Sequence, residues 1–106
     1  MKVGTDIVEI ARIPADNRAF VHGILSPAEI LLFETRHDKA QFLAGRYAAK
    51  EAFLKALGTG LSGAKFNEID IHYDAAGAPI LTYQGKDYAV SISHDGGYAT
   101  SVVIIP

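Results

Sequence analysis

The pattern of hydrophobic and polar positions changes twice along the chain. Residues 2–10 are rich in valine and isoleucine, which favours a β-strand. Residues 26–57 carry helix start and stop signals, whereas from residue 68 onward apolar positions recur at every second residue. One strand, then helices, then further strands predict an α+β fold, in which an antiparallel sheet packs on one long helix and one or more short helices.

The helix before the long one has the clearest start signal. Residues 14–21 predict at most a short helical turn. The next helix should begin after Ser26, which can cap it, with Pro27 at the first helical position and Glu29 completing a capping box. We expect this helix to run to about Arg36.

A longer helix should follow and end at a glycine. Asp38 is placed to cap it, and Gln41 occupies the capping-box position. The helix should run to Leu57 and stop at Gly58, because glycine readily adopts the left-handed conformation that ends helices. A glycine-rich loop over residues 58–63 then leads to the strands.

The C-terminal half predicts four short strands joined by tight turns. The strands are expected at residues 68–74, 79–84, 88–94 and 98–105. The turns between them fall at residues 75–77, 84–87 and 95–97. Links this short favour antiparallel pairing of neighbouring strands.

On a helical wheel, the long helix has no ordinary solvent-facing side. One side is apolar but carries Arg46 and Lys50 in the middle of its arc. The opposite side consists of alanine and glycine, broken only by Glu51 and Lys55, and such small residues permit close approach of another backbone. The four charges could snorkel or pair with one another, as Glu51 and Lys55 can at i,i+4 spacing, or they could mark a site.

Asp6 lies in the middle of the first predicted strand, where aspartate is uncommon. Its neighbours on the same face are Gly4, Val8 and Ile10, so a carboxylate there needs a partner. The partner could be a cation such as Arg12, or the strand could lie at a sheet edge.

Asp6 and Glu51 together suit a different partner. The chain contains no cysteine, which excludes disulfides and thiolate metal sites. Two carboxylates of this kind fit a hard cation such as Mg²⁺, whose coordination would be completed by water and phosphate oxygens. The helix cations Arg46, Lys50 and Lys55 would suit those phosphates.

Length and charge narrow the remaining classes. The 106 residues predict a single domain over 1–106. The formal net charge of -2 gives no global basic field for nucleic acid. No stretch approaches the ~18 apolar residues of a membrane span, and the N-terminus lacks the apolar core of a signal peptide. We therefore expect a cytoplasmic protein without a membrane or nucleic-acid partner.

His94 ends a predicted strand beside a tight turn, where functional side chains are often presented. It could equally be a surface histidine, or one hydrogen-bonded to Asp95. Ser91 and Ser93 precede it, but the chain has no GxSxG motif, so the signal for a hydrolase nucleophile is weak.

Three segments resemble the holo-acyl-carrier-protein synthase family, the short trimeric type of 4′-phosphopantetheinyl transferase. Their order and spacing agree over nearly the whole chain, and the central segment is the most specific. The segments are GTDIVEIARI at 4–13, FLAGRYAAKEAFLKALGTG at 42–60 and VSISH at 90–94. A weaker match is ILS at 24–26, followed by Glu29.

The resemblance implies transfer of 4′-phosphopantetheine from coenzyme A to a serine of an apo acyl carrier protein, in support of fatty acid biosynthesis. Asp6, Glu51 and Lys55 would be the catalytic residues. Asp6 and Glu51 would hold Mg²⁺ against the pyrophosphate, and Lys55 would contact the phosphates. The serine would attack the β-phosphate and release adenosine 3′,5′-bisphosphate, with Glu51 or a metal-bound water taking the proton.

The same resemblance implies how the rest of coenzyme A is held. Arg46 and His94 would contact the 3′-phosphate or the adenine end, and Lys50 is a secondary candidate. The loop that begins at Gly58 would let the backbone approach the nucleotide. A homotrimer with active sites between subunits is also implied, and a helix without a solvated face would suit burial against another subunit.

The acidic carrier of this family would dock on cations after the first strand, where the chain offers Arg12 and Arg18. Gly23 stands where the family commonly has arginine, and Asp95 stands where threonine is frequent. These departures bear on affinity for the carrier and for coenzyme A. Two other functions are compatible with the residues: a non-catalytic module that binds coenzyme A or the carrier, and a Mg²⁺-dependent nucleotide hydrolase.

Overall fold

The computed structural model describes residues 1–58 and 64–106. Its five strands form one sheet, and every neighbouring pair in the sheet is antiparallel. The strands are β1 (Lys2–Glu9), β2 (Asp70–Tyr73), β3 (Pro79–Tyr83), β4 (Lys86–Asp95) and β5 (Tyr98–Ile105). Their order across the sheet is β1-β5-β4-β3-β2, which places the first strand at one edge beside the last.

Three α-helices lie among the described residues between β1 and β2, which confirms the predicted α+β fold. They are α1 (Arg18–Ile24), α2 (Pro27–Glu34) and α3 (Lys39–Leu57), with short 3-10 helices at Ile10–Arg12 and Phe66–Glu68. The long helix α3 packs on β1, β4 and β5 and also contacts the two shorter helices. It therefore lies between the sheet and a layer formed by α1 and α2.

The first helix begins later than the sequence predicts. Residues 14–21 were expected to form a turn, but the helix spans Arg18–Ile24. The reason is Asn17, whose side-chain oxygen accepts a hydrogen bond of 3.0 Å from the backbone N–H of Phe20. Asparagine is a strong N-cap residue, so the helix starts immediately after it.

The capping box of α2 is confirmed, and the predicted cap of α3 is wrong. Ser26 Oγ accepts from the N–H of Glu29 at 3.2 Å, while Glu29 Oε1 accepts from the N–H of Ser26 at 2.8 Å. Asp38 makes no such cap. Its two oxygens instead accept hydrogen bonds of 2.8 and 2.9 Å from Arg36, and Oδ2 also accepts from Gln41, so no backbone N–H is capped.

The turn between β3 and β4 is tighter than predicted. Residues 84–87 were expected to form it, but only Gln84 and Gly85 do, with φ angles of 51° and 79°. Two consecutive positive φ values are the mark of the type I′ hairpin turn, whose twist matches that of the flanking strands. Lys86 and the residue after it therefore belong to β4.

Gly4 brings the edge strand into contact with the backbone of α3. A Cβ atom at this position would lie 1.9 Å from the carbonyl oxygen of Ala52, far inside any real contact. The close approach expected from the small-residue face of the long helix is therefore present, and its partner is β1. Because side chains alternate along a strand, Asp6 faces the helix on the same side as Gly4.

The long helix α3 has no solvent-facing side because other elements of the same chain cover it. Toward the sheet, its small and apolar side chains pack in a cluster with residues of β2, β3 and β5. Toward α1 and α2, Phe42 and Leu43 pack in a second cluster with Phe33 and Leu25. Burial against another subunit, which the sequence suggested for this helix, is therefore not what covers it, because the sheet and the short helices of the same chain do so.

Candidate active site

Asp6 and Glu51 line the same open cleft, whose volume is about 620 Å³. One wall is β1 with the 3-10 helix that follows it, and the other wall is formed by α3 and α1. The lining residues are Asp6, Ile7, Val8, Glu9, Arg12, Ile13, Pro14, Phe20, Tyr47, Glu51 and Tyr98. The cleft thus combines carboxylates with apolar and aromatic side chains.

Asp6 is paired with Lys55 rather than with Arg12. Lys55 Nζ donates hydrogen bonds of 2.9 Å to Asp6 Oδ1 and 3.2 Å to the carbonyl oxygen of Thr5. Arg12 instead forms an exposed ion pair of 3.0 Å with Glu9, one helical turn away. The suggested Asp6–Arg12 pair is therefore wrong, and the cation that faces Asp6 comes from the long helix.

The hydrogen bond and the negative charge of Asp6 raise the pKa of Lys55, and the charge of Glu51 adds to the effect. Lys55 therefore remains a cation throughout the neutral range. The alternative in which Lys55 and Glu51 form an i,i+4 ion pair is not found among the salt bridges of the described residues. This leaves the Glu51 carboxylate available to the cleft.

The donor set fits a hard divalent cation. Asp6 and Glu51 supply carboxylate oxygens, the ligands that Mg²⁺ prefers, at the surface of an open cleft. Among residues 1–58 and 64–106, no group of three or more histidine, cysteine, aspartate or glutamate side chains is placed to hold a metal ion. Water and substrate phosphate would therefore have to complete the coordination, which is the usual situation for Mg²⁺ at phosphoryl-transfer sites.

Tyr47 also reaches this site and was not recognised as a site residue in the sequence. It lies on α3 one turn before Glu51 and lines the cleft with both carboxylates. Burial raises the pKa of Tyr47, and the charges of Glu51 and Asp6 raise it further. The spacing of Tyr47 and Glu51, one turn apart on the same helix, could have indicated that the tyrosine belongs to the site. On the helical wheel, however, Tyr47 falls on the apolar side with Phe42 and Leu43, as a core residue would.

The other two cations of α3 are buried and share a partner that the sequence did not reveal. Lys50 is 0% exposed and Arg46 4% exposed. One carboxylate oxygen of Glu29 accepts a hydrogen bond from Lys50 Nζ, and the other lies 3.3 Å from Arg46 Nε. Glu29 also accepts a hydrogen bond of 3.2 Å from the backbone N–H of Ile71, which ties α2 and α3 to β2.

The structure does not favour Lys50 as a phosphate ligand. Besides Glu29, its ammonium donates to the carbonyl oxygens of Ile24 and Phe66 at 2.7 and 3.1 Å. These three acceptors use all three N–H groups of a lysine. The hydrogen bonds of the buried Lys50 ammonium therefore link α3 to the end of α1 and to the second 3-10 helix.

His94 and Arg46 meet in a second, smaller cleft of about 200 Å³. His94 Nε2 lies 3.2 Å from the side-chain nitrogen of Gln41, and not against Asp95. The guanidinium of Arg46 lies 4.0 Å from the ring centre of Phe42 and donates to the hydroxyl of Tyr73. No described residue lines both this cleft and the one that holds Asp6 and Glu51.

The remaining predicted site residues occupy the surface. Arg12 is exposed at the rim of the larger cleft, and Arg18 begins α1. Gly23 faces open space, since a Cβ there would meet no atom within 4 Å. Gly58 ends α3 with a φ of 79°, but the rest of the predicted loop, residues 59–63, lies outside the described residues.

The fold and the site together define a class of protein. The chain matches the 4′-phosphopantetheinyl transferase superfamily over residues 2–103. It belongs to that superfamily. Within the described residues no helix is both long and apolar enough to span a membrane.

The similar proteins and solved structures described below are all named holo-[acyl-carrier-protein] synthases. The holo-[acyl-carrier-protein] synthase of Streptococcus equi subsp. equi (strain 4047) is 43% identical over 105 residues, which cover 94% of this chain and 88% of that protein. The crystal structure of the synthase from Neisseria meningitidis superposes with a TM-score of 0.86 at 36% identity, covering 96% of this chain and 94% of that one. The Helicobacter pylori synthase, solved in complex with coenzyme A, gives 0.85 at 36% identity, with 98% and 99% coverage.

Proposed function

We propose that this protein transfers 4′-phosphopantetheine from coenzyme A to a serine of an apo acyl carrier protein, with adenosine 3′,5′-bisphosphate as the other product. The observation that carries the proposal is that Asp6 and Glu51 line one cleft and Lys55 pairs with Asp6, in a chain related over nearly its whole length to holo-[acyl-carrier-protein] synthases. A non-catalytic protein with the same fold would not need this combination of Asp6, Glu51 and Lys55.

The reaction requires that the serine and the pyrophosphate be positioned together and that the negative charge of the phosphates be neutralised. The serine oxygen forms a bond to the β-phosphorus of coenzyme A, the bond from that phosphorus to the bridging oxygen breaks to release adenosine 3′,5′-bisphosphate, and Glu51 or a water molecule takes the serine proton. Asp6 and Glu51 would hold Mg²⁺, which supplies positive charge at the pyrophosphate when bound. Lys55, already fixed by Asp6 and by a backbone carbonyl, presents a second positive charge beside it.

Mass spectrometry of a purified apo carrier after incubation with this protein, coenzyme A and Mg²⁺ tests the proposal. We expect the carrier to gain one phosphopantetheine, and the double variant Asp6→Asn, Glu51→Gln to give none. Turnover of coenzyme A without any carrier would instead favour a hydrolase. Binding of coenzyme A without modification of the carrier would favour a non-catalytic module.

A complete site would draw on two subunits. Arg46 and His94, the candidates for the adenine end of coenzyme A, lie in a different cleft from Asp6 and Glu51. In the proposed homotrimer, one coenzyme A would contact the carboxylates of one subunit and His94 of its neighbour.

The open face of the sheet supplies the surface for that assembly. Val3 and Ile7 of β1 project away from α3, and in the strand register Val3 lies opposite Ile104 and Thr5 opposite Val102. Val3, Ile7, Val102 and Ile104 are all among the exposed large hydrophobic residues, Ile7 at 65%. A contiguous apolar face of this kind on a sheet indicates a subunit interface.

Val102→Lys should dissociate the assembly, because it places a charge in the middle of the apolar sheet face at a residue outside the cleft that holds Asp6 and Glu51. Light scattering should show a trimer for the unaltered protein and smaller species for this variant, with loss of transfer activity. Leu31→Lys is the matched control, since Leu31 is 70% exposed but lies on α2 and is not part of the apolar face formed by β1 and β5. A stable and active monomer of the unaltered protein would contradict the trimer.

Docking of an acidic carrier should depend weakly on salt. Arg12 and Arg18 are the candidate contacts, and Arg12 is already paired with Glu9. Few free cations mean weak electrostatic steering, so the carrier KM should change little with ionic strength. Gly23→Arg should lower that KM at low salt, because the added side chain projects into open space on α1.

Ala75→Arg is the control for this measurement, since it adds the same charge at an exposed turn outside α1. We expect it to leave the carrier KM unchanged. A steep salt dependence in the unaltered protein, with no gain from Gly23→Arg, would show that the docking cations come from elsewhere, such as a neighbouring subunit.

A further inference from the structure

Tyr47 occupies a position on α3 from which it can reach the proposed metal site. It lies four residues before Glu51, and residues at that spacing are neighbours on a helix surface. Both side chains line the cleft that also holds Asp6. Tyr47 and Glu51 therefore share one face of α3 and one cleft with Asp6.

The ring of Tyr47 is held in place by two other aromatic rings. Phe66 packs against it in an edge-on arrangement, with ring centres 5.6 Å apart and an interplanar angle of 70°. Phe20 of α1 packs on it with ring centres 5.9 Å apart. These contacts fix the direction of the ring, and with it the place of the hydroxyl oxygen.

Tyr47 carries an O–H donor, and the Glu51 carboxylate that lines the same cleft is an acceptor. Among the described residues, no hydrogen bond of ordinary length and angle joins the two side chains. Hydrogen bonds at active sites commonly tighten when the site is loaded.

We propose that Tyr47 is a positioning residue whose hydroxyl donates a hydrogen bond to one oxygen of Glu51 and so turns the other toward a divalent cation. Tyr47 lies one helical turn before Glu51 and lines the same cleft, so it is the group placed to orient Glu51. The inference rests on the proposed function only in taking Glu51 as a metal ligand. It concerns how well the site binds the cation, not the transfer itself.

The physical reason is the freedom of the glutamate side chain. A metal-binding carboxylate without a partner has to give up rotamer freedom when the cation binds. A hydrogen bond from a fixed neighbour restricts that freedom beforehand, and loss of such outer partners typically weakens metal binding by about 10–100-fold.

Calorimetric titration with Mn²⁺ alone tests the proposal, because Mn²⁺ shares the preference of Mg²⁺ for carboxylate and water ligands. Tyr47→Phe keeps the ring and its packing and removes only the oxygen. We expect it to bind Mn²⁺ about tenfold more weakly than the unaltered protein. Tyr88→Phe is the matched control, since Tyr88 also packs on a phenylalanine but lies outside the cleft, and its Mn²⁺ affinity should be unchanged.

A second readout separates orientation from packing. In the transfer assay, Tyr47→Phe should need more Mg²⁺ for half-maximal rate and should recover most of its kcat at saturating Mg²⁺. Equal Mn²⁺ affinities for Tyr47→Phe and the unaltered protein would overturn the proposal, as would the absence of Mn²⁺ binding to the unaltered protein. Failure of transfer with the Mn²⁺ difference present would instead count against the proposed function alone.

Discussion

Replacing Lys55 with alanine is expected to lower kcat/KM for phosphopantetheine transfer by about 10²–10³-fold. Its ammonium donates to Asp6 Oδ1 at 2.9 Å and to the carbonyl oxygen of Thr5, which fixes a positive charge at the edge of the cleft. The hydrogen bond to Asp6 also raises the pKa of Lys55, so the charge is present at every neutral pH. In the proposed reaction, alanine removes that charge from beside the phosphoryl group that Lys55 would contact.

Steady-state kinetics at saturating Mg²⁺ measures this effect, with Lys86→Ala as the matched control. Lys86 is also exposed, but it begins β4 at the far hairpin. Thermal stability should fall only modestly in Lys55→Ala relative to Lys86→Ala, because Lys55 is exposed while its partner Asp6 is half-buried and loses its cation. Equal, small losses of rate would show that Lys55 does no more than pair with Asp6.

The elements that could be predicted from sequence are those with local signals. The long helix ends at Leu57 as expected, because Gly58 supplies the positive φ that ends it. The capping box of Ser26 and Glu29 is likewise read from residues three positions apart. Asp38 was misread because a neighbouring arginine competes for its oxygens, and the sequence does not show which hydrogen bond prevails.

The candidate site could be predicted in part, because the resemblance identified Asp6, Glu51 and Lys55. What brings them together is the contact between Gly4 and the backbone of α3, a packing detail of two segments about fifty residues apart. The wheel correctly showed that the small face of the helix admits a backbone. It could not show that the strand beside it would be β1.

The partners of the buried charges could not be predicted, because they are set by tertiary packing. Arg46 and Lys50 were expected to snorkel, to pair within the helix or to bind phosphate. The structure gives them Glu29, 21 residues before Lys50 in the chain. In the sequence, Glu29 was recognised only as a capping residue. In the structure it is also the counter-charge of the two buried cations: one carboxylate oxygen faces Ser26 and Lys50, and the other faces Arg46 and a strand N–H.

Glu29→Ala is expected to lower the free energy of unfolding by about 3–5 kcal/mol, which is typical when one partner of a buried ion pair is removed. The variant would leave Lys50 and Arg46 buried without a counter-charge. Burial already lowers the pKa of Lys50, and Glu29 opposes that shift. Thermal or denaturant unfolding at a fixed protein concentration measures the loss, since assembly makes the midpoint depend on concentration.

Glu29→Gln and Glu34→Ala separate charge from shape in this measurement. Glu34 ends the same helix but is exposed, so its loss should change stability little. Glutamine keeps the size of Glu29 and removes only the charge, so Lys50 should release its proton more readily in the folded state than in the unfolded one. With the folded pKa of a lysine below its unfolded value, stability rises with pH between the two. The deficit of Glu29→Gln should therefore narrow as pH rises toward the ordinary lysine pKa, whereas a deficit that stays constant with pH would show that lost packing, and not an unpaired cation, destabilises the variant.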